Sequence, residues 1–127
     1  MRRRPKLLYL VNVDSFFVSH RLHLGIAARE AGFDVTVAAG ETNAREVIQD
    51  AGLRFVPIPI YAGGRSPRHE LETAAAVVAL YRRERPDLVH HVTIKPILYG
   101  SLAAGLAGIS ARVNAVTGLG YVFMPQA

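Results

Sequence analysis

Three groups of polar and glycine residues stand where short apolar runs end. Asn12, Asp14, Ser15, Ser19 and His20 follow the first run, His91, Thr93 and Lys95 end a later one, and Asn114, Thr117, Gly118 and Gly120 follow the last. Asp14 and His20 are the candidates for proton transfer. His20 is expected at the start of a helix capped by Ser19, where the helix dipole favours a neutral imidazole ready to accept a proton. Asp14 is expected to orient that ring or to act as the base itself. The alternative is that His20 merely completes the cap as a partly buried polar residue. Lys95 precedes Pro96 at another expected helix start, a placement suited to holding a phosphate or carboxylate. Thr117-Gly118-Leu119-Gly120 offers backbone N–H groups that a ligand can approach closely.

Other chemistries are excluded by what is missing or misplaced. The 127 residues include no cysteine, so disulfides, thiolate nucleophiles and Cys-ligated metals are ruled out. His90 and His91 are sequential, and on a strand they point to opposite faces, so no shared metal site is expected. His69 is expected in solvent and His23 against helix neighbours. Asn12-Val13-Asp14-Ser15-Phe16-Phe17 occupies the place where a dinucleotide fold carries G-x-G-x-x-G. Walker A and G-x-S-x-G motifs are absent too. No bound cofactor is expected.

The elements that must position these residues alternate along the whole chain. Strands are expected at Lys6 to Val13, Phe33 to Ala38, Leu53 to Ile58, Leu88 to Val92 and Arg112 to Val116. The first has an unbroken apolar run, as a strand covered on both faces requires. Pro57 and Pro59 predict that the third lies at an edge. Helices are expected at His20 to Ala31, from a Thr42 cap to Ala51, at Arg68 to Arg85, and from Pro96 to about Ala107. The third is expected to bury Leu71, Ala74, Ala75, Val78 and Tyr81. The fourth is apolar almost all round, which predicts deep burial. Residues 61 to 67, rich in glycine and arginine, are expected to form a loop.

Five strands joined by helical crossovers predict an α/β fold, a doubly wound parallel sheet of order 3-2-1-4-5 with helices on both faces. Its topological switch falls between strands one and four, and a ligand is expected outside the strand ends there. Residues 1–127 are expected to form one Rossmann-like domain. The apolar stretch Val116 to Phe123 has no closing helix after it, which predicts that the domain is one half of a longer chain.

The formal charge is +5, concentrated in Arg2-Arg3-Arg4 with Lys6, Arg65 with Arg68, and Arg82-Arg83 with Arg85. Such clusters fit a solvated face, or a surface drawn to an anionic leaflet or a phosphate-bearing substrate. No aromatic-basic interleaving accompanies them, so nucleic acid is not an expected partner. Leu7 to Val13 is too short for the apolar core of a secretory leader, and Pro96 to Ala111 falls short of a membrane span. A cytoplasmic protein, peripheral on the inner leaflet, is the expectation.

Thr93-Ile94-Lys95-Pro96 with Tyr99-Gly100, then Val116-Thr117-Gly118-Leu119-Gly120 and Phe123, resembles the N-terminal domain of family 4 glycosyltransferases. Phe17-Val18-Ser19-His20-Arg21-Leu22 and Gly32-Phe33-Asp34-Val35-Thr36-Val37 fit the same family, so the resemblance runs from about Lys6 to Phe123. It is nearest to members acting on lipid-linked sugars in capsule, O-antigen or glycan assembly. It implies one half of a GT-B arrangement, in which the N-terminal domain binds the acceptor. The C-terminal domain holds the nucleotide-sugar, a co-substrate. The anomeric configuration is retained and no metal is usually needed. Carried onto this chain, Asn12 to Ser19, His20, Thr93, Lys95 and Thr117 to Gly120 would line the acceptor side. The donor half has no counterpart in these residues, so the chain alone is expected to be inactive. Half of a GT-B nucleotide-sugar epimerase, or a non-catalytic glycan-binding module, are the alternative readings.

Overall fold

The computed structural model describes residues 4–60, 66–109 and 111–115, so 61 to 65 of the expected loop lie outside the described residues. Five strands, β1 (Lys6–Val13), β2 (Asp34–Gly40), β3 (Arg54–Pro57), β4 (Leu88–Val92) and β5 (Arg112–Ala115), form a parallel sheet of order β3-β2-β1-β4-β5. This is the doubly wound order the sequence predicts, with β3 at an edge. β1 lies at the centre, pairing Leu7 to Leu10 with Leu88 to His91 on one side and Lys6 to Val11 with Asp34 to Ala39 on the other.

The missing alternation in β1 has a direct cause. Leu7 through Val11 are all buried because both faces of the strand are covered. Leu8 and Leu10 pack with Val77, Leu80, Tyr81 and Val89 under α4 (Pro67–Glu84) and α5 (Ile94–Ala107). Leu7, Tyr9 and Val11 pack with Phe17, Val37 and Ile48 under α1 (Asp14–His20), α2 (Leu22–Glu30) and α3 (Arg45–Asp50).

Four local expectations are overturned. The first helix opens at Asp14 and is interrupted at Arg21, whose φ of −133° and ψ of −1° separate α1 from α2. Ser19 is therefore exposed inside α1 and caps nothing, and His20 ends a helix instead of starting one. Thr42 does not cap α3, whose N-cap is Ala44, because its side chain is committed to Asp14. In α4 the buried residues are Thr73, Val77, Leu80, Tyr81 and Glu84, whereas Leu71 and Ala75 face out. In α5, Leu98, Leu102 and Leu106 are also exposed. The apolar stripes of both helices are wider than the strip the sheet covers, so hydrophobicity alone misplaced the buried edge.

Candidate functional site

Asp14 is fully buried at the junction of β1 and α1. Its carboxylate accepts from the backbone N–H of Ser15 at 2.8 Å, of Thr42 at 3.0 Å and of Ala44 at 3.0 Å, and from the Thr42 hydroxyl. Burial alone would raise the carboxyl pKa, but these four donors outweigh it and hold the group below the usual carboxylate range. A carboxylate so occupied is a poor proton acceptor. Asp14 instead braces the β1–α1 junction against the loop between β2 and α3. The expected Asp14–His20 pairing is not formed. His20 is exposed, its Nδ1 lies 3.2 Å from the carbonyl of Phe16, and its ring stacks on Phe16 at 4.3 Å.

Two of the three expected loops meet at the switch point. The Asn12 amide donates from Nδ2 to the Thr93 hydroxyl at 3.1 Å, tying the end of β1 to the end of β4. Asn12 Oδ1 is buried without a partner among the described residues. Thr93 holds φ 71° and ψ 171°, a region nearly restricted to glycine, at the N-cap of α5. Strain of this kind costs roughly 1–3 kcal/mol and persists where surrounding structure enforces it. Lys95 follows in the first turn of α5, with Nζ 3.5 Å from Oε1 of Glu70 in α4. Thr117, Gly118 and Gly120, the third loop, lie outside the described residues. Asn114 is turned away from the switch: it stays exposed on β5, and its Oδ1 faces Nδ1 of the buried His91 at 2.8 Å.

An open cleft of about 440 Å³ sits over the tips of β1, β2 and β3, lined by Asn12, Gly40, Thr42, Pro57, Pro59 and Ile60 among others. It lies to the β2–β3 side of the switch. Gly40 is among the lining residues, and a Cβ there would come within 2.7 Å of the Asn12 carbonyl and 2.9 Å of the Ile60 carbonyl. Sequence reasoning did not name Gly40 or Glu41 and read Thr42 only as a helix cap; their position after an expected strand was the available signal. Glu41 is engaged by Arg45 one turn on, through contacts of 2.6 and 2.9 Å.

The two adjacent histidines do face opposite sides of the sheet. His91 is fully buried, with Nε2 2.7 Å from the Tyr81 hydroxyl and Nδ1 on Asn114. Burial lowers its pKa first, and the Arg112 charge adds to that against the opposing Asn114 bond. His90 stacks on Tyr9 at 4.9 Å. Its burial, then the Arg21 charge and His91, bring its pKa down to about 4. A histidine depressed in the folded state contributes full stability above its unfolded value. That stability is lost as pH falls, because the unfolded chain takes the proton first. For His90 the window runs from 6.5 down to about 4. Replacing His90 with Phe keeps an aromatic ring against Tyr9 and removes the titration. Urea unfolding of this variant is expected to show a pH dependence flatter by about 1–2 kcal/mol across that window, after allowance for solvent screening. An unchanged slope would take His90 out of the acid response.

Among the described residues no three His, Asp or Glu side chains gather as a metal site, and no helix is long and apolar enough to cross a membrane.

Comparison with known proteins places this geometry in a family. The glycosyltransferase SsfS6 of Streptomyces sp. SF2575 is 26% identical with a TM-score of 0.61, over 85% of this chain and 38% of that one. MurG of Acinetobacter baumannii is 17% identical with a TM-score of 0.67, over 87% of this chain and 35% of that one. The chain thus spans little more than a third of these two proteins. The C-terminal domain of a hydrogenase from Pyrococcus furiosus is 16% identical with a TM-score of 0.65, over 91% and 94% of the two chains. The sheet by itself therefore does not choose a function. A comparison with curated proteins finds no match. The fold is that of one half of a GT-B glycosyltransferase, and the sequence profile of the family described as glycosyl transferase 4-like matches residues 6–127. The chain belongs to the glycosyl transferase 4-like family.

Proposed function

We propose that this chain is the acceptor-binding domain of a retaining glycosyltransferase, which transfers a sugar from a nucleotide-sugar to a lipid-linked glycan. The observation that carries the reading is the cleft over the β1–β3 tips. It ends at Asn12, whose amide is tied to Thr93 at the topological switch. Its lining suits a sugar ring. The Glu41 carboxylate and the Thr42 hydroxyl, which can accept while it donates to Asp14, match sugar hydroxyls, and Pro57, Pro59 and Ile60 match its apolar face. Lys95 and the start of α5 stand beside the switch and would attract the phosphate of a lipid-linked acceptor. The nucleotide-sugar would be held mainly by a C-terminal domain, in keeping with a β1–α1 junction that carries no phosphate-binding glycines.

The test is titration of the 127-residue chain, followed by amide NMR shifts, with oligosaccharide phosphates and separately with nucleotide-sugars. The expected result is movement of the Asn12, Gly40, Thr42 and Lys95 amides with the oligosaccharide phosphates alone. An Asn12→Ala substitution should weaken that binding about tenfold, because it releases the tie to Thr93 that shapes this end of the cleft. Shifts caused by the nucleotide-sugar instead, or glycan shifts remote from these residues, would overturn the assignment.

A further inference from the structure

The cleft over the β1–β3 tips offers a ligand acceptors and few donors. Pro57 and Pro59 have no N–H to give. The N–H of Ile58 donates to the Ala39 carbonyl at 3.0 Å, and that of Ile60 to the Ile58 carbonyl at 2.8 Å. After β2, the N–H and the hydroxyl proton of Thr42 both go to Asp14. What Glu41 and Thr42 turn to a ligand is therefore a carboxylate and the lone pairs of a hydroxyl.

Charge points the same way. The chain carries a formal +5, yet among the described residues lining the cleft Glu41 alone is ionisable. Arg45 grips it from one turn on, with Nε 2.6 Å from Oε2 and Nη2 2.9 Å from Oε1, and the guanidinium lies 5.2 Å over the Phe55 ring. This grip fixes the carboxylate in place and takes two of its roughly four lone-pair sites, leaving the others for a ligand. Next to Thr42 lies a second carboxylate, Asp14, buried and held ionised by hydrogen-bond donors. Asp14 also fills the cluster of N–H groups from Ser15, Thr42 and Ala44 that could otherwise have received an external anion. Two carboxylates against one guanidinium leave these residues at the tip of β2 net negative.

We infer that the cleft takes an uncharged sugar and turns away an acidic one, with Glu41 setting the choice. The inference rests on the reading of the cleft as a sugar site and adds the class of sugar. Sugar hydroxyls and N-acetyl N–H groups can donate to Glu41 and Thr42. The carboxylate of a uronic acid only accepts, so it pairs with neither residue and is repelled by Glu41. On the same reading the phosphate of the acceptor stays with Lys95, beyond the switch.

The test is titration calorimetry of the 127-residue chain with matched disaccharide 1-phosphates, whose outer sugar is glucose or glucuronate in one pair and galactose or galacturonate in the other. The neutral member of at least one pair is expected to bind about tenfold more tightly, with a ratio that shrinks as salt is raised. Glu41→Gln should bring that pair to within about threefold, because it removes the repelling charge and releases Arg45 to meet the uronate. Arg45→Met keeps an apolar stem over Phe55 and leaves the Glu41 charge uncompensated, so it should widen the ratio. Both side chains are about two-fifths exposed, and circular dichroism with a thermal melt establishes that the variants fold. Equal binding of the two members by the native chain, tighter binding of the uronate, or an unchanged ratio in the folded variants overturns the inference and leaves the sugar site standing. Binding of no member of either pair overturns the reading of the cleft itself, and this inference with it.

Discussion

Asp14→Ala is expected to destabilise the chain by roughly 3 kcal/mol, through the loss of the acceptor for three backbone N–H groups and one hydroxyl. Much of the cost comes from the donors left behind, above all the buried N–H of Ala44. A loss this size is a large share of the 5–15 kcal/mol that holds a typical domain together. Asp14→Asn separates shape from charge, because it keeps the volume and turns an acceptor into a donor facing donors. The acid response supplies the second signature. The folded carboxyl pKa lies below its ordinary value, so its stabilisation is complete above the unfolded pKa and disappears as pH falls through the folded one. Urea unfolding from about pH 5 downward should therefore fall more steeply for the native chain than for Asp14→Asn. If instead both variants unfold at the native urea midpoint, Asp14 is not a brace, and a role in proton transfer regains its standing.

Gly100→Ala is expected to be comparably damaging, for a steric reason. A Cβ at position 100 would sit 2.2 Å from Nε2 of His91 and 2.3 Å from its Cδ2. The ring cannot swing aside freely. With the amide oxygen of Asn114 facing Nδ1, that nitrogen carries the proton, and Nε2 accepts from the Tyr81 hydroxyl. The Tyr81 and His91 rings lie nearly parallel at 6.0 Å, and burial pushes the Tyr81 phenol pKa up, so the tyrosine remains a donor. Moving the imidazole breaks both bonds and adds overpacking, which together amount to about 3 kcal/mol or more. Through these contacts α4, β4, α5 and β5 are locked at one point. A double-mutant cycle of Gly100→Ala with His91→Ala is the check. The pair should be less destabilised than the sum of the single variants, because removing the ring makes room for the methyl. Additive effects would show that the close approach is not what Gly100 is for.

The contrast between these two sites shows where sequence reasoning reached and where it stopped. His90 and His91 were separable from the alternation of a strand alone. That His91 is a satisfied core residue needed Tyr81, Asn114 and Gly100, which come from three other elements. Likewise Asp14 was visible as a polar residue after β1, but its partners Thr42 and Ala44 arrive from the other side of β2. The boundary near Arg21 was legible, since Ser19 signalled a helix start within two residues of α2 (Leu22–Glu30). The short helix α1 (Asp14–His20) before it was not, because Asp14 to Val18 read as a polar loop.

By itself the sequence determined the parallel sheet, its strand order, the edge position of β3 and the placing of Asn12 and Thr93 at the switch. These follow from the period of the apolar runs and the handedness of crossovers, both local or topological properties of the chain. Tertiary structure alone decided that Asp14 is braced by four donors, that the open cleft lies over β1–β3, and that the leucines of α5 face outward. Those outcomes depend on which side chains from distant segments arrive together and on how wide a strip the sheet covers. No pattern along a single helix or strand encodes either.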